Sequence, residues 1–237
     1  MIYTSINNPI IKEIKKLQTK KYRDQQGLFL IEGEHLIKEA TNLEKIIVLD
    51  SYEYKTDIET LVVNEKIMKY ISNLDTSPEI MGICRKNSDN KIGNKVIVLD
   101  NIQDPGNLGT IIRSAVAFNF DTILLSQDTV DIYNPKVVRA SQGMIFKLNI
   151  ITTDLLSKLP ELKQQNYHII GTDVNEGNSI QEVAKDEKTC IIMGNEGNGM
   201  SEPIKQLCDE FINIEMNDNC ESLNVGVAAS IIMYEMR

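Results

Sequence analysis

A chain of 237 residues with 42% hydrophobic content has room for one large domain or two small ones and enough core material to exclude a disordered polymer. No apolar run approaches a membrane span, the first twenty residues lack the apolar stretch of a signal peptide, and the four cysteines lack the paired short spacings of a zinc or iron–sulfur site; a cytoplasmic protein with reduced thiols, no metal and no membrane contact is expected. The net charge of -9 argues against non-specific nucleic-acid binding, yet it is uneven, with residues 1–90 at -1 and residues 91–237 at -8.

In chain order, "NPIIKEIKKLQTKKYR" places Ile10, Ile11, Ile14 and Leu17 at helical spacing after a helix-starting Asn8 and Pro9. The same stretch holds Lys12, Lys15, Lys16, Lys20, Lys21 and Arg23, either a solvated helix face or an edge that meets phosphates. "GLFLIEG" reads as a buried strand, "HLIKEAT" as a helix and "LEKIIVLD" as a strand. "IETLVVNEKIMKYISNLD" reads as a strand then a helix, and "PEIMGICRK" closes a compact α/β unit. The polar stretch 86–95, "KNSDNKIGNK", is the linker candidate, giving domains 1–88 and 94–237. Beyond it the strands "KVIVLD", "DTILLS", "FKLNI", "YHIIGTD", "TCIIMG" and "DEFINIEM" alternate with helices near 107–119, 134–143, 153–165, 201–208 and 222–236. Short continuous apolar strands divided by helices signify a parallel sheet covered on both faces.

Ligands bind outside the carboxyl ends of strands in such sheets, and three of those ends are polar and glycine-rich. In "LDNIQDPGNLGTIIR" no dinucleotide or phosphate-loop fingerprint is present. Arg113 follows Gly109 by four residues, near the start of the helix as read here. A cation there opposes the helix dipole and needs either a local carboxylate such as Asp104 or an anionic ligand or polarised hydroxyl. Asn107 is an N-cap candidate as well as a functional one. In "IIMGNEGNGMSEP", Glu196 lies among Gly194, Gly197 and Gly199, as a turn glutamate or as a partner for a loop N–H or a substrate hydroxyl. "IEMNDNCESLNVG" leads into a helix that is apolar or small on nearly every face from Leu223 to Met233, which implies burial on several sides, within its domain or at a subunit interface. Ser222 and Asn224 sit at its start, where Ser222 suits an N-cap. Both histidines, His35 and His168, fall outside these loops.

Taken in order, N-x-x-D-P-x-N-x-G-x-x-x-R, then G-x-E-x-x-G-x-S, then I-x-M…S-L-N-V-x-V-A, the loops resemble the SpoU (TrmH) family of the SPOUT superfamily. These are RNA ribose 2'-O-methyltransferases that use S-adenosyl-L-methionine. The resemblance covers about 91–237, and the first 85 or so residues resemble the ribosomal-protein-like substrate-binding domain often fused ahead of it. It implies a parallel α/β sheet with a C-terminal trefoil knot, preceded by that smaller α/β domain. Residue by residue it implies Asn107, Arg113, Glu196, Ser222 and Asn224 in the catalytic site, and cofactor contacts at Gly194, Ile214, Met216 and Leu223. It also implies a homodimer through the C-terminal helix and an RNA substrate, foremost ribosomal RNA. Transfer RNA, or a non-catalytic RNA-binding or ribosome-assembly role, remains the alternative. Gly226 departs from the serine that many members carry there.

Overall fold

Apolar residues at helical spacing after Asn8 do form the first helix, though a shorter one than the pattern suggests. The computed structural model describes residues 2–88, 91–174, 177–183, 186–217 and 219–237; positions 89 and 90 of the expected linker lie outside them. After a two-residue strand, β1 (Ile2–Tyr3), α1 runs Pro9–Lys16 and a separate α2 runs Lys20–Gln26. The break is explained by Arg23, whose Nη1 donates to the carbonyls of Leu17 and Gln18 at 3.0 and 2.8 Å. Those carbonyls end α1 and would otherwise lack partners. Arg23 is 4% exposed, so it belongs to the core and not to the basic edge. Ile11, Ile14 and Leu17 are buried while Ile10 is exposed.

The rest of this unit is β2 (Leu28–Glu32), α3 (Glu34–Glu39), β3 (Leu43–Leu49), β4 (Thr60–Val63), α4 (Glu65–Ile71) and β5 (Ile80–Arg85). The sheet order is β1-β4-β3-β5-β2, with β5 antiparallel to both neighbours and the other pairs parallel. Residues 131–146, which periodicity places in the second domain, pack into this first unit instead. Asp131 Oδ2 takes Arg23 Nη2 at 2.6 Å, and the Tyr133 ring lies 4.5 Å from that of Phe29. Of the six basic positions near the N-terminus, Lys12, Lys20 and Lys21 are exposed with no ion pair among the described residues. Lys16 pairs with Glu13, and Lys15 donates to the Tyr70 carbonyl.

The second unit, Asp89–Val130 with Lys147–Arg237, begins with β6 (Lys95–Leu99), α5 (Pro105–Ala117) and β7 (Thr122–Leu125). The chain then supplies α6 (Pro135–Ala140) to the first unit. It returns with β8 (Asn149–Thr152), α7 (Leu155–Gln164), β9 (His168–Thr172), β10 (Asn178–Ser179), β11 (Thr189–Met193), α8 (Glu202–Lys205), β12 (Glu210–Asn213) and α9 (Val225–Glu235). "FKLNI" begins its strand later than expected, because Met144–Phe146 form a 3-10 turn. The sheet order is β10-β12-β9-β11-β6-β7-β8, and every pair is parallel. Val96, Val98, Cys190 and Ile192 pack with Leu155, Leu159 and Ile204 of α7 and α8. The alternating residues Ile97, Leu99 and Ile191 are equally buried, so both faces are covered. The sheet grows from β6 through β7 to β8, then resumes on the opposite side of β6. That reversal sets the ends of β6 and β11 side by side, at the crevice where such sheets bind ligands.

Removing one partner of a buried, hydrogen-bonded ion pair typically costs 3–5 kcal/mol. Arg23→Met strands Asp131 and two helix-end carbonyls together, so urea unfolding is expected to show a loss of about 3 kcal/mol. A loss within ~0.5 kcal/mol would show that this pair does not hold the first unit together.

Candidate active site

Helix α5 starts earlier than the glycine pattern suggests. Pro105 occupies its first turn, and Asp104 is its N-cap, accepting the Asn107 N–H at 2.9 Å. Two readings of the sequence are corrected by this start. Asp104 is committed to the cap, so it is no counter-ion for Arg113; and Asn107, being the third helical residue, is not a cap at all. Its side chain is available to act across the site. Arg113 is the ninth residue of the helix, well beyond the first turn, where the dipole's influence has faded. The supposed conflict between charge and dipole therefore does not exist. Arg113 is exposed, and among the described residues it has no hydrogen-bond or ion-pair partner.

Loop two crosses the end of β11. A Cβ built on Gly194 would lie 2.2 Å from the Met200 nitrogen and 2.3 Å from the Gly199 carbonyl carbon. Only glycine lets this backbone cross itself so closely. Residues 195–199 form a tight turn in which Asn195 and Gly199 exchange N–H···O bonds of 2.9 Å. The turn is strapped to the end of β6 by Asn195 Nδ2, which donates to the Asn101 carbonyl at 2.8 Å. Asp100 Oδ2 adds a second strap, accepting both the N–H and the hydroxyl of Ser201 at 2.8 Å. Sequence reading passed over Asp100, although a carboxylate directly ending an otherwise apolar strand was a visible signal.

Glu196 projects from this turn onto the start of α5. It accepts from Asn107 Nδ2 at 3.0 Å, and from the N–H groups of Asp104 and Gln103 at 3.3 Å each. Partial burial pushes the Glu196 carboxyl up, but hydrogen bonds from Asn107 and from the N–H groups of Glu196, Gln103 and Asp104 outweigh it and hold the carboxyl below its ordinary value.

Loop three completes the set. Asn224, and not Ser222, caps α9, with its Oδ1 accepting from Gly226 and Val227 at 3.0 and 3.3 Å. Its Nδ2 donates to Asn107 Oδ1 at 2.8 Å. Glu196, Asn107 and Asn224, drawn from three separate loops, thus form one continuous hydrogen-bonded chain. A Cβ on Gly226 would lie 3.3 Å from Thr110 Cβ, so glycine suits the close crossing of α9 over α5. Helix α9 is buried at Val225, Gly226, Ala229, Ile232 and Met233 but leaves Val227 and Tyr234 about half exposed. Its apolar faces are therefore only partly covered within one chain.

A cavity of about 640 Å³ opens beside this chain, at the ends of β9, β11 and β12. All four residues expected to contact the cofactor, Gly194, Ile214, Met216 and Leu223, line it, together with Glu196 and Ser222. Asn107, Arg113 and Asn224 are not in its wall; they stand beyond Glu196 on α5 and at the start of α9.

A model of the SpoU rRNA methylase family matches residues 94–234, more than half the chain. This chain belongs to the SpoU rRNA methylase family. A second model, the MRM3-like substrate binding domain, matches residues 8–82 of this SpoU methylase. The chain is 35% identical to the 23S rRNA (guanosine(2553)-2'-O)-methyltransferase RlmP of Bacillus subtilis, over 98% of each protein. An AdoMet-bound rRNA methyltransferase from Sinorhizobium meliloti has a TM-score of 0.87 at 25% identity, covering 100% of this chain and 97% of that one. A solved RNA 2'-O ribose methyltransferase has a TM-score of 0.83 at 28% identity, covering 100% and 98%. This SpoU methylase is an RNA methyltransferase dependent on S-adenosylmethionine.

The lining suits that cofactor. The volume falls among small-molecule sites, Gly194 offers bare backbone, and Ile212, Ile214, Leu223 and Val225 give an apolar wall for an adenine ring. Because the Glu196 pKa is lowered in the fold, the carboxylate persists through neutral pH, and its contribution disappears only as pH falls through that lowered value. NMR titration of the Glu196 carboxyl is expected to give a midpoint below the ordinary glutamate value of ~4.3. Asn107→Ala should raise the midpoint. A midpoint that ignores Asn107 would contradict the hydrogen-bonded chain.

Proposed function

We propose that this protein transfers the methyl group of S-adenosylmethionine to a ribose 2'-hydroxyl of ribosomal RNA. The observation that carries the proposal is the chain Glu196–Asn107–Asn224 beside the cavity, with Arg113 exposed and unpaired among the described residues two turns along the same helix. When bound, S-adenosylmethionine supplies an electrophilic methyl group on a sulfonium centre. Backbone at Gly194, Ile214, Met216 and Leu223 holds it. Arg113 meets the substrate: its guanidinium acts as an electrostatic stabiliser of the negative charge that develops on the 2'-oxygen and of the adjacent phosphate. Glu196 fixes the Asn107 amide, and that amide fixes the start of α9 through Asn224. Ser222, exposed in the cavity wall, contacts substrate or holds loop three. These residues contribute orientation, which is where much of the rate enhancement of a transfer between two bound reactants resides.

The first domain, residues 1–88, captures RNA. Exposed Lys12, Lys20 and Lys21 and the substrate-binding family match support that role, and local basic patches reconcile it with an acidic chain. The catalytic domain, 94–237 less the stretch 131–146 that packs with the first unit, carries the trefoil knot of its family. This reading is supported by β11 being seated between the earlier strands β6 and β9 and by α9 returning to pack on α5 through a 2.7 Å Ser114–Ser230 hydroxyl contact. Val227 and Tyr234, seven residues apart on one exposed face of α9, favour a homodimer through that helix. No helix among the described residues is long and apolar enough to cross a membrane; the cytoplasm is the location that belongs to this proposal.

Methyl transfer to ribosomal RNA, mapped by ribose-methylation sequencing, is expected to fall by about 100-fold or more in Arg113→Ala, with partial recovery in Arg113→Lys. Cofactor affinity should change little in either variant. Normal turnover by Arg113→Ala would sink the assignment.

A further inference from the structure

Four charged side chains line the cavity: Glu196, Glu221, Asp173 and Lys205. Glu196 is committed to Asn107, and Glu221 is exposed beside Ser222. The remaining two form an ion pair of their own, with Lys205 Nζ 3.2 Å from Asp173 Oδ2 and the two side chains 35% and 18% exposed. Asp173 directly follows β9, and Lys205 is the last residue of α8. Thr172, next to Asp173, ties the end of β9 to β11 by donating its hydroxyl to the Ile192 carbonyl at 2.8 Å. The carboxylate is thus fixed on a rigid strand end.

The sheet order places this carboxylate between two different strand ends on the cavity. Strand β9 lies between β12 and β11, with neighbouring strands about 4.8 Å apart. The end of β12, with Ile212 and Ile214, is apolar and suits an adenine; the end of β11 carries Glu196 on the catalytic side. In adenosyl ligands the ribose joins the adenine to the sulfur-bearing carbon, just as β9 bridges those two strand ends. A carboxylate accepts several hydrogen bonds at once, and two adjacent hydroxyls present two donors to it.

Resting on the methyltransferase reading above, we infer that Asp173 accepts hydrogen bonds from the ribose hydroxyls of the bound adenosyl cofactor, and that Lys205 is a positioning residue that holds the Asp173 carboxylate toward them. Asp173 then selects for the sugar and not for the amino-acid end of the cofactor. Its loss raises the KM for cofactor and leaves kcat nearly unchanged.

Calorimetry on the full chain tests this with three probes: S-adenosylhomocysteine; 5'-methylthioadenosine, which keeps the ribose but lacks the amino-acid tail; and 2',3'-dideoxy-5'-methylthioadenosine. Asp173→Asn should weaken the first two by a similar factor, about 10-fold or more. In the wild type, removing the two hydroxyls should cost about as much, and in Asp173→Asn it should cost almost nothing. Lys205→Met should weaken binding by a smaller factor and add little on top of Asp173→Asn. The inference is overturned if Asp173→Asn spares 5'-methylthioadenosine while weakening S-adenosylhomocysteine, which would place the contact at the ammonium group. It is also overturned if loss of the hydroxyls costs the same in both proteins. The wild-type comparison needs no variant, so poor folding of Asp173→Asn would not shield the idea: a negligible cost of removing the hydroxyls overturns it alone. If wild type binds neither S-adenosylhomocysteine nor 5'-methylthioadenosine, the methyltransferase reading itself fails.

Discussion

The site depends on one primary amide. Asn107 offers a donor to Glu196 and an acceptor to Asn224, and among the described residues no other side chain in it is hydrogen-bonded to both remaining loops. That amide is free to do so only because Asp104 caps α5 in its place. A cap at Asn107 would have spent the carbonyl oxygen on the helix's own N–H groups. The glutamate end is anchored in turn by backbone N–H groups at Gln103 and Asp104, so the chain closes back on the helix start. Charge-assisted hydrogen bonds of this kind are the stronger ones, and a lowered carboxyl pKa is their signature.

Topology explains why three loops so far apart in sequence can share one amide. The sheet reverses direction at β6, which makes the loops after β6 and β11 neighbours. Straps from Asp100 to Ser201 and from Asn195 to the Asn101 carbonyl hold those two loops together. Loop three arrives from β12 on the far side of the cavity, and α9 carries it back across α5, where Gly226 permits the close approach to Thr110. On the proposed reading, catalytic chemistry sits where two adjacent strands end, and the cavity proposed for the cofactor extends across the next two. The exposed Arg113 guanidinium, without a hydrogen-bond or ion-pair partner among the described residues, is inexpensive to leave in water, and in the proposed reaction it meets an anionic substrate.

Much of this was visible in the residues, and the misses have definite causes. Alternating apolar strands and helices specified the parallel sheet, because strands buried on both faces leave continuous apolar runs. Two of the three polar strand ends, those after β11 and β12, line the cavity, whereas the third, after β6, supplies Asn107 and Arg113 outside its wall and the end of β9 carried no such signal. The two-residue strands β1 and β10 are too short to show a period. Leu17 continued an apolar stripe, so the break after α1 was hidden until Arg23 was seen to hold the carbonyls there. Residues 131–146 joined the other unit because an amphipathic helix records that it packs, not on what. Pro105 in the first turn was the available clue that Asp104, and not Asn107, caps α5.

The central claim is that Glu196 and Asn224 act on the reaction through the same amide. A double-mutant cycle on methyl transfer, with Glu196→Gln, Asn224→Ala and the pair, measures it directly. The account predicts strong non-additivity, with the double variant little worse than the more damaged single one. Additive losses within ~0.5 kcal/mol of activation free energy would mean the two residues act independently, and the hydrogen-bonded chain would not be the device that organises the site.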